Sequence, residues 1–174
     1  MSSLKLCIIS LLLNFVPTEC IYTVGTAFLS VNITVTIFNL SYLTNVTAIG
    51  GSARDAINVT SQIWLLPKNL RTWAAYTGNT TSKLIVVPPS VTAIQNSVPF
   101  RLWRNCEHVV MLATTPPTIT TNYADNVTKP KFYVPADSIE AYRALDVFTS
   151  YWGNRLHPLE DLPTEYLQYL AVYD

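Results

Sequence analysis

Lys131–Pro158, KFYVPADSIEAYRALDVFTSYWGNRLHP, reads as a strand, a stop and a short helix. Pro135 lacks the backbone donor that a strand needs, so FYV ends there, and Asp137 with Glu140 forms an acidic variant of the capping box. The pattern predicts a helix over Ser138–Leu145 with Ile139, Tyr142 and Leu145 as its apolar residues. One strand and one short helix cannot bury their own faces. The segment is therefore expected to close the end of a stack of similar strands upstream.

Such strands recur. IWLL precedes Pro67, LIVV precedes Pro88, VVML precedes the Ala113–Pro117 turn and FYV precedes Pro135, at intervals of roughly 21 to 25 residues, within the range of a leucine-rich solenoid. VTIF at Val35–Phe38 and LCII at Leu6–Ile9 continue the series at a longer, looser interval. The first half lacks the proline stop after each strand.

The closing segment resembles the C-terminal end of bacterial leucine-rich-repeat surface proteins of the BspA-like type. The matching residues are Tyr133, Val134 and Pro135, then Ser138, Ile139, Glu140, Ala141 and Tyr142, then the aromatic stretch at Tyr151 and Trp152. KLIVVPPSVTAI from Lys83, with Phe100, RNCEHVVML around Cys106, and ATTPPTI from Ala113, resembles one repeat of the same family. The resemblance spans Lys83–Pro158, a little under half of the chain. It implies a β-rich α+β fold: an irregular, right-handed leucine-rich-repeat-like solenoid with a short C-terminal capping helix. The expected organisation is one domain over residues 1–174, with irregular coils over 1–82, family-like coils and cap over 83–159, and a tail over 160–174.

Composition agrees with a folded domain, since 49% of the 174 residues are hydrophobic and glycine occurs only 5 times against 11 prolines. Charged residues make up 13%, about half the ~25% of an average soluble domain. Two readings fit this: a surface partly covered by other subunits, or solvated faces built of Asn, Thr and Ser. Eleven basic residues balance eleven acidic ones with no basic run, which argues against nucleic acid as a partner.

The apolar run from Leu6 to Val16 is too short to span a membrane, which needs about 20 apolar residues. It reads as a structural segment or a weak signal peptide, and the absence of a small-x-small cleavage site before Ile21 favours the former. The cysteines, Cys7, Cys20 and Cys106, lack metal-knuckle spacing. Cys106 is expected to be a core thiol, and a Cys7–Cys20 bridge requires a secreted, uncleaved chain. Six sequons, at Asn32, Asn39, Asn45, Asn58, Asn79 and Asn126, read as solvated turns rather than a glycan coat.

No phosphate-binding glycine loop, HExxH, GxSxG or CxxC is present. The histidines, His108 and His157, sit at a strand start and in the closing segment, and no carboxylate pair is fixed at a catalytic separation. The chain is therefore expected not to be an enzyme and to need no cofactor or metal. Aromatic side chains are the better recognition chemistry, because flat rings bind with little loss of conformational entropy. Trp73 and Tyr76, before a glycine turn, are the expected exposed pair. In the tail LPTEYLQYLAVYD, Thr164 can cap a helix that aligns Tyr166, Tyr169, Leu170 and Tyr173. That stripe either folds back on the last coil or docks on another subunit.

Two functions fit these observations. One is a structural or decorating subunit of a large particle such as a bacteriophage virion, a homo-oligomer with a protein- or glycan-binding face. The other is a secreted bacterial surface adhesin for a host protein or glycan.

Overall fold

The computed structural model describes residues 32–49, 58–74, 82–95, 103, 106–120, 124 and 127–174. These residues form two parallel sheets. The larger has six strands: β1 (Asn32–Asn39), β3 (Asn58–Leu65), β5 (Leu84–Val87), β7 (His108–Met111), β9 (Lys131–Val134) and β10 (Leu156–Pro158), in that order. The smaller has four two-residue strands, β2 (Ala48–Ile49), β4 (Thr72–Trp73), β6 (Ala93–Ile94) and β8 (Thr118–Ile119). Through β9 the chain visits the sheets alternately. Short helices follow: a 3-10 turn at Ala136–Ser138, α1 (Ile139–Arg143), a π-helical turn at Phe148–Trp152, and α2 (Thr164–Leu167).

This α/β arrangement of two parallel sheets corrects the expected fold. The irregular leucine-rich-repeat-like solenoid with a short C-terminal capping helix is not what forms. The apolar runs reveal only the larger sheet, because a two-residue strand such as Ala93–Ile94 is too short to show any periodicity. The helix at Ile139–Arg143 does not end the sheet either, since β10 follows it and pairs with β9, Leu156 facing Phe132 and Pro158 facing Val134.

The predicted capping box is also corrected. Ser138 is the N-cap and makes no side-chain cap bond, and Glu140 instead pairs with Arg143 one turn later. Pro135 does end its strand, at Val134. VTIF lies within β1, while LCII, Cys7, Cys20 and Asn79 fall outside the described residues.

The core lies on the inner face of the larger sheet. The register places Phe38, Trp64, Ile85, Val109, Phe132 and Leu156 in one row across six strands. Ile49, Trp73 and Ile94 line up on the smaller sheet, and all three are buried in the same cluster. Trp103 joins the sheets to the closing segment: its ring lies 5.8 Å from Trp73, 5.7 Å from Phe132 and 5.7 Å from Trp152 in edge-on contacts. Phe132 stacks on Trp152 at 4.6 Å. Tyr142 is fully buried, and its hydroxyl donates to the Ala113 carbonyl at 2.8 Å, tying α1 to the loop between the sheets. Burial of this hydroxyl holds its pKa well above the usual tyrosine range.

Cys106 is a free, buried thiol bonded to the His108 carbonyl, and burial pushes its pKa up to about 12. It occupies the small position at the foot of β7 that Ser82 holds at the foot of β5, where the Ser82 hydroxyl donates to the Ser61 carbonyl at 3.0 Å.

Candidate recognition site

Alternation along each strand sends every second residue of the larger sheet outward. Two outward rows result. Ile37, Ile63, Leu84, His108 and Lys131 are in register across β1 to β9, and Asn39, Leu65, Val86, Val110, Tyr133 and His157 across β1 to β10. The middle of this face is apolar. Left bare it would be an extended hydrophobic patch, yet Leu65, Leu84, Val86 and Val110 are all buried.

What covers them is the C-terminal tail. Leu159, Leu162, Tyr166, Tyr169, Leu170, Val172 and Tyr173 pack against Ile63, Leu65, Leu84, Val86, Val110 and Tyr133 in an apolar cluster separate from the main core. The tail stays compact through successive tight turns: Tyr166 bonds to Pro163, Tyr169 to Tyr166, Leu170 to Leu167 and Tyr173 to Leu170. Its far end is pinned. The Tyr173 hydroxyl donates to the Leu66 carbonyl at 2.8 Å, and the Lys68 ammonium donates to the Asp174 carbonyl at 2.5 Å. The aromatic stripe folds back, but across β3 to β9 of the larger sheet rather than on the last coil alone.

A histidine–tyrosine cluster marks where tail and sheet meet. His108 Nδ1 lies 3.1 Å from the Tyr133 hydroxyl. The His108 ring is 5.2 Å from Tyr166 of the tail, and Tyr133 is 5.6 Å from His157, whose Nδ1 is 4.0 Å from an Asp161 carboxylate oxygen. Burial holds the His108 imidazole below its ordinary value of 6.5; Glu107 and Glu165 pull it up and Lys131 pushes it down. Burial raises Tyr133, helped by Asp161 and Tyr166. Between the neutral imidazole and the tyrosine hydroxyl, the His108 tautomer sets which of the two donates. The geometry orients two rings beneath the tail.

The expected recognition residues are distributed unevenly. Trp73 is fully buried at the smaller sheet, so it does not form an exposed pair, and Tyr76 lies outside the described residues. The Trp73 ring is part of the core cluster and meets Trp103 edge-on at 5.8 Å, so it is spent on packing. Tyr166 and Tyr169 are half-buried and Tyr173 is buried, all three on the outer face of the larger sheet. The sheet side of this site was not singled out from sequence. Its signal was the absence of alternation in LIVV: four consecutive apolar residues require cover on both faces, and all four are buried.

Among the described residues, the large apolar side chains left exposed are Ile37, Tyr42, Tyr151 and Leu167. Among the described residues no three His, Cys, Asp or Glu side chains converge to hold a metal ion, and no helix is long and apolar enough to cross a membrane. Searches against family models, curated proteins and solved structures find no match to this chain.

Proposed function

We propose that this chain is a non-enzymatic structural or decorating subunit of a large assembly, of the kind a bacteriophage virion contains, and that it acts by surface complementarity. The observation that carries this reading is the outer row of the larger sheet. The row that holds Ile63, Leu84 and His108 is covered by the tail from β7 to β3 but continues to Ile37, which is 42% exposed, with Tyr42, 61% exposed, in the turn that follows β1. An apolar row that runs out from under its own cover suits a neighbouring subunit. The low charge and zero formal net charge support the same reading, because little repels one copy from the next.

Native mass spectrometry of the purified protein tests it. A defined multimer that dissociates when Ile37 and Tyr42 are both changed to Ser is the expected result, and a monomer at all concentrations refutes it. The competing reading is a secreted bacterial adhesin with a host protein or glycan as ligand. It draws on the likeness of the YVP and SIEAY segments to bacterial surface proteins. A monomer that binds host cells would favour it.

A further inference from the structure

We draw no further inference here: the strongest candidate, the surface patch of Ile37 and Tyr42 beside the edge strand β1, belongs to the site on which the proposed function already rests, and nothing in the structure shows what covers it.

Discussion

Replacing Tyr173 by Phe removes one hydroxyl from one end of the tail and nothing else. That hydroxyl donates to the Leu66 carbonyl at 2.8 Å, with the Val86 carbonyl a longer neighbour at 3.5 Å. Leu66 is fully buried, so its carbonyl loses this donor where water does not readily replace it. Leaving a buried acceptor unsatisfied costs about 1–2 kcal/mol, a factor of roughly 5–30 in the equilibrium between docked and lifted tail. Tyr173→Ala also removes a ring that is 93% buried, Tyr173 being 7% exposed. Deleting a buried aromatic costs about 3–5 kcal/mol, and the lower end applies here because the neighbouring tail turns can close in. Hydrogen exchange followed by mass spectrometry reads both effects separately. The amides of Tyr169, Leu170 and Tyr173, which bond only within the tail, should exchange about tenfold faster in Tyr173→Phe and faster still in Tyr173→Ala. Amides of β5 and β7 should hardly change. Unaltered tail exchange in Tyr173→Phe would refute the docking energetics. An equal acceleration in β5 and β7 would refute the separation of tail from core, because the two clusters would then open as one.

Tyr142→Asp should yield insoluble protein, since a carboxylate placed in a fully buried, apolar site has only the Ala113 carbonyl to face; a soluble variant with a cooperative melt would count against this. Tail docking should weaken as pH falls below 6.5. His108 is held below 6.5 while docked, with Glu107, Glu165 and Lys131 as its charged neighbours, so the lifted form binds more protons in that window. Exchange of the tail amides at pH 5.5 and 7.5 checks it, and His108→Gln should abolish the difference. Cys106 should resist thiol reagents in the native protein and react on unfolding. Its contribution to stability should fade from pH 9 up toward about 12, as the unfolded thiol ionises first; rapid native labelling at neutral pH would show that the foot of β7 is open.

Pro67, Pro88 and Pro135 made the larger sheet legible in sequence, because a residue without a backbone donor follows each apolar run and fixes where it stops. Tyr142 and Trp152 were legible for a different reason, as large rings in a closing segment that had to fill the end of a core. The smaller sheet was not legible. Ile49, Trp73, Ile94 and Ile119 each sit in a two-residue strand, and one apolar residue per strand has no period to detect. That gap also produced the misplacement of Trp73, which looked available for binding only while the sheet that buries it was unseen. Short capping interactions were over-read: Asp137 and Glu140 have the right spacing, but a 3-10 turn at Ala136–Ser138 precedes α1 and no side-chain cap bond forms.

The candidate site illustrates why a sequence can display both halves of a contact and still not pair them. The tail carried its stripe of Tyr166, Tyr169, Leu170 and Tyr173, and LIVV carried its unbroken apolar run, but Tyr173 and Leu66 are 107 residues apart. Helical spacing and strand alternation act over a few residues, whereas this contact is decided by which apolar surface is left once the inner face is full. Each half demands a partner. In one isolated copy the nearest partner is the chain's own tail. The chain's own tail thus closes the face from β7 to β3, and Ile37, at the uncovered end of the same outer row, is where that face stays open.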